Sequence, residues 1–496
     1  MPDTRPGHGR VSPPGRILIV GLGGVSRCTL PLLFRHLEVD PSRYTVLDFG
    51  DVAADDVRYV EDSGARFVPG RITPQNHRAV LGEHVGPGDL VIDLAWNIDT
   101  VEVLDWCHGQ DVRYVNASLE VWDPYAGSAS EPPTERTLYA RHMRLRKMLE
   151  RWGGNSGPTA VLDHGANPGL VSHFTKAALL DIADAWLVHG AAPRARREAV
   201  EEARERRAFN RLAQALGLKV IHISERDTQV SAEPKRVNEF VNTWSVEGLY
   251  EEGVGPAELG WGTHELALPP GAYEHPSGPR NQICLARPGC RTWVRSWVPC
   301  GEIVGMVIRH GEAFSISEHL TVEANGVPAY RPTVHYAYCP TDAAIASLHE
   351  LGMRGYELQE RQRIMYEDIV DGRDELGCLL MGHPFKSWWI GSLLDIHETR
   401  RLVGNQNATT LQVAASVLAA ARWMIDHPHE GVCLPDDLPH EPILEAARPY
   451  LGTLVSDPVD WTPLKRWPDP FAPYARPRPA DEDVWQFSTF LVSGLA

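Results

Sequence analysis

The stretch RILIVGLGGVSRCTLPLL, residues Arg16–Leu33, decides the fold that the rest of the chain is expected to adopt. Arg16–Val20 is a short apolar run typical of a buried strand. It leads directly into the glycine-rich turn Gly21–Ser26 and then into an apolar-periodic segment, through Leu37, that predicts a helix. A strand, a glycine turn and a helix in this order form the context in which a G-x-G-x-x-G pattern indicates dinucleotide binding.

The positions of the glycine turn have separate predicted tasks. Gly21 makes the tight turn and Gly23 lets the backbone approach a pyrophosphate, whereas Ser26 stands where the pattern has its last glycine. A second predicted strand, Tyr44–Leu47, ends at Asp48, where an acid binds ribose hydroxyls and repels a 2′-phosphate, which favours NAD over NADP. An α/β crossover without a cofactor is the alternative. The predicted cofactor-binding residues are Gly21, Gly23, Gly24, Val25, Ser26 and Asp48.

Alternating strands and helices continue beyond this unit. Strand-like segments occupy residues 65–69, 89–95, 113–118 and 159–163, and helical segments lie between them, the last at Glu135–Trp152. This alternation predicts an α/β fold with a Rossmann-type, doubly wound parallel sheet, in which ligands bind beyond the C-terminal ends of the strands. Three polar residues follow predicted strands there and are candidate ligand contacts: Asn97, Glu120 and Asn167.

Asn167 also has a structural interpretation. In the phrase GANPG (Gly165–Gly169), Asn167 and Pro168 have the residue types preferred at the N-cap and the first position of a helix, which is predicted to run through Asp181. Helix capping and ligand contact are compatible with each other, so the sequence leaves both open.

The character of the chain changes after a densely charged segment, Ala195–Leu216, whose mixed signs predict one exposed helix with many salt bridges. Short β-like runs, Gly/Pro turns and clustered tryptophans follow to about Ile390 and predict a second, α+β domain. We therefore expect a flexible tail at 1–15, a nucleotide-binding domain at 16–170, a second domain at 171–399 and a proline-rich C-terminal extension at 451–496. The Ala-rich helix Leu411–Ile425, within 400–450, is a candidate to return to the nucleotide-binding domain.

The second domain contains an acidic and aromatic run, NTWSVEGLYEEGVGPAELGWGTHE (Asn242–Glu265), with five glutamates and no lysine or arginine. Its glycines and Pro256 argue against a long helix. A solvated acidic face is the common explanation of such a run, but Trp244 and Trp261 would lose burial free energy in water. Aromatic faces beside unpaired carboxylates suit a desolvated ammonium, with a ring contribution on the order of 0.5–2 kcal/mol. The run therefore predicts a cation-binding pocket.

Composition excludes several classes of function. A formal net charge of −17 argues against binding nucleic acid or an anionic membrane surface and favours cationic ligands. The eight cysteines include no CxxC pair, so neither a metal site nor a redox motif is predicted, and a reduced, cytoplasmic compartment fits best. The N-terminus lacks the apolar region of a secretory signal, and Leu411–Ile425, interrupted by Arg422, is too short to span a membrane.

Eight strings in a fixed order resemble the bacterial homospermidine synthases, relatives of the saccharopine-dehydrogenase-like Rossmann enzymes. The similarity runs from about residue 16 to residue 490. The strings are GLGGVSRCTLPLL (21–33), GANPG (165–169), HISERDTQ (222–229), FVNTWSVEG (240–248), PAELGWGT (256–263), YRPTVHYAY (330–338), DELG (374–377) and NQNAT (405–409).

The resemblance implies an enzyme that joins two putrescine molecules into homospermidine and releases ammonia, with spermidine as an alternative aminobutyl donor. It implies a tightly held NAD that takes a hydride and returns it, and a homodimer in which 171–399 is the substrate and dimerisation domain. It places Asn167 near the nicotinamide and the substrate. The positions that match polyamine-site or catalytic residues are Glu120, Glu225, Trp244, Glu252, His310 and Asp374.

The chain departs from the family pattern in places. Asn97 stands where the family has an aspartate that contacts the substrate amine, and Asn116-Ala117 replaces a more usual Asp-Thr pair. Loss of the aspartate removes one anionic partner for an ammonium, so the exact amine stays open.

The chemistry that the resemblance implies can be worked out from the groups themselves. Hydride loss needs a neutral amine, and an alkylamine with a pKa of about 10.4 is charged at neutral pH, so the site must remove a proton. Glu252 and His310 are the candidates to do so, and Glu252 is expected to couple electrostatically to the like charge of the adjoining Glu251. For the other, charged end of the diamine the candidates are the ring of Trp244 and the acids Glu225, Glu120 and Asp374. A salt bridge to the adjoining Arg226 is the alternative role for Glu225.

Two other functions stay open on the sequence. A saccharopine-type oxidoreductase acting on an amino acid would turn over NAD(P)H stoichiometrically and would need arginines to bind the substrate carboxylate, which the acidic run lacks. A non-catalytic nucleotide sensor would bind NAD without turnover. The sequence favours the aminobutyl transferase.

Overall fold

The computed structural model describes residues 15–50, 52–125, 130–189, 193–467 and 478–492. Most of the predicted tail 1–15, and residues 468–477 and 493–496 of the predicted C-terminal extension, lie outside these ranges. The strands are β1 Ile17–Val20, β2 Tyr44–Asp48, β3 Arg66–Pro69, β4 Leu90–Asp93, β5 Arg113–Asn116, β6 Ala160–Val161, β7 Val220–Asp227, β8 Val230–Ser231, β9 Glu239–Asn242, β10 Pro256–Gly260, β11 Ala272–Glu274, β12 Gln282–Pro288, β13 Trp293–Val298, β14 Gly301–Met306, β15 Val322–Ala324, β16 Val327–Tyr330, β17 Thr333–Cys339, β18 Arg361–Ile364, β19 Ile369–Asp371, β20 Arg373–Met381, β21 Ser387–Asp395, β22 Val432–Cys433 and β23 Thr453–Val459. The helices are α1 Gly24–His36, α2 Ala54–Asp62, α3 His77–His84, α4 Thr100–Gly109, α5 Leu138–Trp152, α6 Leu170–His189, α7 Arg194–Glu205, α8 Phe209–Leu216, α9 Val246–Val254, α10 Glu312–His319, α11 Asp342–Met353, α12 Ile396–Leu402, α13 Ala408–Asp426, α14 His440–Ala447 and α15 Phe487–Phe490.

The nucleotide-binding domain is built on a seven-stranded sheet in the order β22-β6-β5-β4-β1-β2-β3. Every neighbouring pair is parallel. All four residues of β1 are buried, as expected of a strand whose two faces are both covered by helices. The sheet confirms the doubly wound Rossmann architecture predicted from the strand and glycine turn at the start of the chain.

The late part of the chain returns to this domain. Strand β22 pairs with β6 at the edge of the sheet, and α13 packs against α1. Helix α13 is longer than the predicted Leu411–Ile425 because the side chain of Asn407 caps it by accepting from Thr410 N–H. Within the described residues it is the one helix whose length and hydropathy suit a membrane span, and 83% of that stretch is buried inside the protein, as a core helix is.

The second domain centres on a ten-stranded mixed sheet, whose main path is β11-β12-β10-β17-β7-β20-β21-β23. Its central pair, β7 and β17, is parallel, and the pairs on either side are antiparallel. Helix α6 packs against β20 and β21, and α10 packs against β10 and β17. This arrangement confirms the predicted α+β domain and brings β7 and β17 beside the nucleotide-binding sheet.

The predicted C-terminal extension is part of this second domain wherever it is described. Strand β23 pairs with β21 along six residues. Trp461, Phe487 and Phe490 are buried in its core, and residue 491 forms a bridge to Val294. The burial of these aromatic rings holds the described part of the extension against the sheet.

The charged segment Ala195–Leu216 forms two helices, where one was predicted. Helix α7 carries exposed ion pairs such as Arg194–Glu198, as expected, but Arg207 adopts φ 54° and ends it. Helix α8 then buries Phe209 and Leu212. The left-handed backbone at Arg207 breaks the helix so that this apolar face can pack against α6.

The predicted helix cap at Asn167 is also wrong. Helix α6 begins at Leu170, and the Asn167–Pro168 peptide is cis. The loop closes on itself, because Gly165 N–H donates to Pro168 O at 2.7 Å and Leu170 N–H donates to Gly165 O at 3.0 Å. Asn167 therefore lies at the tip of a tight loop, where its side chain is free to point away from the helix.

Two fully buried histidines make the core sensitive to acid. His335 Nδ1–H donates to Tyr336 O at 2.9 Å, and the ring lies against Phe487. His164 contacts His173 and Ser416. Burial lowers the pKa of both His335 and His164 to about 4, so both imidazoles are neutral in the folded protein at neutral pH.

We expect the thermal unfolding midpoint to fall as the pH drops from about 6.5 towards 4.5. The folded pKa values lie below the unfolded value of about 6.5, so protons bind preferentially to the unfolded chain and the stability present above that pH is lost below it. Calorimetry on His335→Gln should show a smaller fall than the parent protein, and the exposed His429→Gln should match the parent. Identical pH dependence in His335→Gln and the parent would contradict this explanation.

Candidate active site

A cavity of about 190 Å³ lies where the two domains meet, beyond the C-terminal ends of β4 and β5. One wall comes from the nucleotide-binding domain and the other from β7, β17 and the segment around α9. This is smaller than the roughly 300 Å³ of most drug-sized ligand pockets, so it suits the reacting part of a small molecule. Its lining includes Val25, Asp93, Trp96, Asn116, Ser118, Glu120, Asn167, Glu225, Trp244, Ser245, Gly248, Glu252, His310, Tyr336 and Thr409.

The glycine turn beside this cavity fits a dinucleotide. Gly21 has φ +89°, which favours glycine, and its N–H donates to Leu47 O at 2.8 Å. A Cβ at Gly23 would meet no described atom within 4 Å, so the start of α1 has room for a phosphate. Asp48 holds the turn, because its carboxylate accepts from Leu22 N–H at 2.6 Å and Gly50 N–H at 2.7 Å.

The other residues of the turn have different surroundings. A Cβ on Gly24 would collide with the Tyr366 hydroxyl group of the second domain, and the Arg27 guanidinium lies over the Tyr366 ring at 4.6 Å. Val25 lines the cavity. Ser26 is buried, and its hydroxyl finds no hydrogen-bond partner among the described residues. Ser26 stands where the pattern has its last glycine, at the position where the helix packs closely on the sheet. Its small side chain leaves the turn open to a cofactor.

Glu225 is held by two groups that face it across the cavity. It accepts hydrogen bonds from Asn167 Nδ2, at 2.9 Å, and from the Tyr336 hydroxyl. Burial raises the pKa of Glu225 to about 8, even though both hydrogen bonds lower it. The predicted salt bridge to Arg226 is absent, since Arg226 reaches outward to Asp342 at 2.8 Å.

Glu252 and His310 form a direct pair. His310 Nε2 lies 2.9 Å from Glu252 Oε2, and His310 Nδ1 lies 3.3 Å from Glu312 Oε1. Although burial alone would lower it, these two carboxylates hold the pKa of His310 well above its usual range. The imidazole is thus held as a cation between two acids, with Glu252 on the cavity side.

The neighbouring Glu251 does not act with Glu252. Its carboxylate forms ion pairs with Arg141 and Arg309 and accepts from Trp96 Nε1 at 3.2 Å. Although burial would raise it, the two guanidinium groups hold the pKa of Glu251 below its usual value. The predicted like-charge coupling of the two glutamates is therefore wrong, because adjacent residues of α9 point in different directions.

Glu120 lines the cavity close to this ion-pair cluster. It accepts from Ser118 Oγ at 2.7 Å, and Arg141 lies 3.9 Å away. Burial and the charge of Glu251 raise the pKa of Glu120 to about 7, against the opposing effect of Arg141. Glu120 is therefore partly protonated at neutral pH when no ligand is bound.

Trp244 supplies the aromatic wall that the acidic run predicted. Its Nε1 donates to the Tyr338 hydroxyl at 2.9 Å, and its ring lies against Gly248, where a Cβ would approach the ring to 2.8 Å. The rest of the run is engaged elsewhere. Glu258 accepts from the backbone of α5, and Trp261 packs near Phe487. Within the run Asn242–Glu265, four residues line the cavity, namely Trp244, Ser245, Gly248 and Glu252. The cation-binding pocket predicted from the run is therefore formed by only part of it.

Two of the residues predicted to contact the substrate, Asp374 and Asn97, lie outside the cavity lining. Asp374 is buried behind Thr409, whose hydroxyl donates to it at 2.8 Å, and burial together with Glu225 and Asp227 raises the pKa of Asp374 well above its usual range. Asn97 has φ 63°, and its side-chain oxygen accepts from Asp123 N–H at 2.5 Å. Asn97 thus fastens a loop next to the cavity.

Sequence reasoning missed several residues of the site. Asp93 ends β4 and lines the cavity; burial raises the pKa of Asp93 to about 6. The strand-end rule that selected Asn97 could have found it. Tyr336 and Tyr338 lie on the same face of β17, and their spacing of two residues is visible in the sequence. Arg141 gave no local signal, because its partners Glu120 and Glu251 are distant in the chain, whereas Glu312 lies only two residues from its partner His310.

The titratable groups that line the cavity are acids, one histidine and one tyrosine. Among the described lining residues there is no lysine or arginine. Arg141 and Arg309 stand behind the wall and are turned to Glu251. Such a cavity is suited to hold a cation, and its described lining offers a ligand carboxylate no lysine or arginine as a partner.

Comparison with known proteins accounts for both domains. Residues 17–161 match the model described as the saccharopine dehydrogenase NADP binding domain, and residues 165–459 match the saccharopine dehydrogenase C-terminal domain. Homospermidine synthase of Blastochloris viridis is 41% identical over 485 residues, which cover 96% of this chain and 97% of that protein. The chain belongs to the homospermidine synthase family. The homospermidine synthase of Mesorhizobium japonicum is 38% identical over 497 residues, covering 99% of this chain and 98% of its own.

A solved structure extends the likeness to three dimensions. The homospermidine synthase of Legionella pneumophila, in complex with NAD, is 37% identical, with a TM-score of 0.86 over 98% of this chain and 99% of that chain. Both domains thus belong to one homospermidine synthase fold.

We expect a linear diamine to release protons when it binds. Burial raises the pKa of Glu225 to about 8 and that of Glu120 to about 7, so both carboxyls are at least partly protonated at pH 7. A nearby ammonium lowers both pKa values. Titration calorimetry at pH 7 in buffers of different ionisation enthalpy should detect the release.

The matched variants for this measurement are Glu225→Gln, which should reduce the number of protons released, and Glu247→Gln, which lies on α9 outside the lining and should not. Binding heats that are independent of the buffer in the parent protein would rule the explanation out.

Proposed function

We propose that the chain is an NAD-dependent homospermidine synthase that joins two putrescine molecules and releases ammonia. The observation that carries the proposal is the acidic, tryptophan-walled cavity without lysine or arginine in its described lining, next to the dinucleotide turn. Family membership supports the same reaction. Spermidine as a second donor, a homodimer and a cytoplasmic location stay predictions of the family resemblance.

NAD, when bound, supplies the acceptor of the hydride and afterwards its donor. Gly21 makes the tight turn, Gly23 leaves the backbone open to the pyrophosphate, and Asp48 stands at the end of β2 for the ribose hydroxyls. An acid at this position favours NAD, the cofactor in the Legionella structure, over the NADP in the description of the domain model.

Charge balance defines what the side chains must do with protons. Both amines of putrescine are charged near neutral pH, since their pKa is close to the 10.4 of a lysine. Two diammonium ions enter, and one triammonium ion and one ammonium ion leave, so the reaction consumes no net proton. Both the donor amine and the attacking amine must lose a proton to react, and these two protons return to the departing amino group and to the new secondary amine. The site therefore has to take up the proton of the donor ammonium before the hydride leaves.

Glu252 is the group that we propose moves this proton. It lines the cavity, and its Oε2 accepts from the protonated His310 Nε2, which leaves Oε1 for the substrate ammonium. His310 is held as a cation and so cannot serve as the first base. Instead, its hydrogen bond to Glu252 can adjust as Glu252 gains and loses the proton, and its positive charge stabilises the ionised carboxylate.

Other residues bind and orient the diamine. The face of Trp244 supplies cation–π attraction, on the order of 0.5–2 kcal/mol, to an ammonium that stays charged. Glu225 and Glu120 supply counter-charge, and Asn167 fixes the orientation of Glu225. Asp374 acts on the site through Thr409. Walls from both domains exclude water, which protects a carbon–nitrogen double bond from hydrolysis.

The observed site disfavours a saccharopine-type reaction on an amino acid. That reaction needs a cationic partner for a carboxylate, and Arg141 and Arg309 are already paired with Glu251. The absence of lysine from the described lining also leaves no group for a Schiff base with the enzyme.

The reaction is tested by incubating the protein with putrescine and a catalytic amount of NAD. Mass spectrometry should detect homospermidine and ammonia in equal amounts, and absorbance at the NADH band should show no accumulation. Putrescine deuterated at carbon 1 should give a product that keeps the label at the new C–N bond, since the hydride is returned. NADH formed in proportion to product would replace this function with a net dehydrogenase, and NAD binding without turnover would indicate a sensor.

Replacing Glu252 should abolish most of the activity while leaving the fold intact. We expect Glu252→Gln to lower kcat by roughly 10²-fold or more, because the amide cannot take the ammonium proton. Glu247→Gln, on the same helix but outside the lining, is the matched control and should stay within about twofold of the parent. Steady-state kinetics with putrescine measures both, and comparable kcat values in the two variants would refute the role of Glu252.

A further inference from the structure

Glu312 is a buried carboxylate with a single neighbour of opposite charge. It is the first residue of α10, and its exposed fraction is 0%. Neither of its oxygens has a hydrogen-bond partner that meets ordinary geometry among the described residues, and its closest polar contact is His310 Nδ1 at 3.3 Å. A carboxylate in this position costs several kcal/mol unless a cation compensates it.

His310 is the group that can supply this compensation. Its Nε2 is bonded to Glu252 of α9, its ring lies 4.4 Å from that of Tyr336 on β17, and Glu225 of β7 stands beyond Tyr336. Glu252, Tyr336 and Glu225 all line the cavity and are therefore next to a bound substrate. Glu312 does not line the cavity, and its charge can act on the reaction only through the imidazole.

We propose that Glu312 is a positioning residue that fixes the imidazole of His310 in its protonated form, with Nε2–H directed at Glu252. This inference rests on the proposed function, since it concerns the group that hands the substrate proton on. Removing the negative charge on the Nδ1 side leaves the ring free to turn and to lose its proton. Glu252 then loses the cationic donor that keeps one of its oxygens engaged.

The position of Glu312 in the fold supports a role in orientation. Helix α10 packs against β10 and β17, so its first residue stands at a fixed distance from Tyr336 and His310. The first turn of a helix also favours a carboxylate electrostatically, which offsets part of the cost of burial. Beneath Gly311, the His142–Asp163 pair leaves no space for a Cβ, which fixes the backbone that carries His310 and Glu312.

The test compares Glu312→Gln with the parent across a pH series, using homospermidine formation as the readout. We expect kcat at neutral pH to fall on the order of tenfold, and the KM for putrescine to change by less than about threefold. The high-pH limb of the kcat profile should move to lower pH by about one unit or more, because a group with one anionic neighbour releases its proton more readily. The acid limb should stay in place, since Glu225 and Glu120 are unchanged.

Two further variants separate positioning from general stability. Glu318→Gln removes a carboxylate from the same helix that pairs with Arg146 and should leave the profile unchanged. Glu312→Asp keeps the charge and should restore most of the kcat and the position of the high-pH limb. This rescue is also the decisive measurement if Glu312→Gln fails to fold.

The outcomes distinguish this inference from the proposed function. A parent protein that makes no homospermidine would refute the function itself. An active parent whose high-pH limb is the same in Glu312→Gln, or a Glu312→Asp variant as impaired as a misfolded one, would overturn the role of Glu312.

Discussion

The site depends on carboxyl groups that are buried in a cavity whose described lining has no lysine or arginine. Glu225, Glu120 and Asp93 line this space with raised pKa values, and Glu252 adjoins a protonated histidine. An ionised carboxylate in such surroundings costs several kcal/mol, and the free protein reduces this cost by binding protons. A ligand that carries its own positive charges removes the cost instead. The free-energy cost of these uncompensated carboxylates is thus the source of the site's preference for amines.

The protein keeps Arg141 and Arg309 out of the cavity lining by pairing them with Glu251. Glu251 and Glu252 are consecutive in α9, and neighbours in a helix point about 100° apart, so one faces Arg141 and Arg309 while the other faces the cavity. The same segment therefore neutralises two buried guanidinium groups and presents a carboxylate to substrate. Composition alone describes both as members of one acidic run.

The sequence was informative where the decisive pattern was local. The strand Arg16–Val20 and the turn after it predicted the parallel sheet, and the strand-end rule placed Glu120 and Asn167 at the cavity. The same rule failed for Asn97, because a left-handed backbone turns its side chain to the N–H of Asp123. The pairs Arg309–Glu251 and His310–Glu252 each join residues 58 positions apart, and no local periodicity carries such information.

The strand β22 has a consequence for how the chain is made. It completes the edge of the N-terminal sheet beside β6, yet it is encoded at residues 432–433, after the whole second domain. On the ribosome, residues 16–170 therefore emerge with an open β6 edge, and that edge is covered only after residue 433 has been synthesised. The two domains therefore fold as one unit. A gene cut at the apparent domain boundary would encode a nucleotide-binding domain in which the edge of β6 is unpaired.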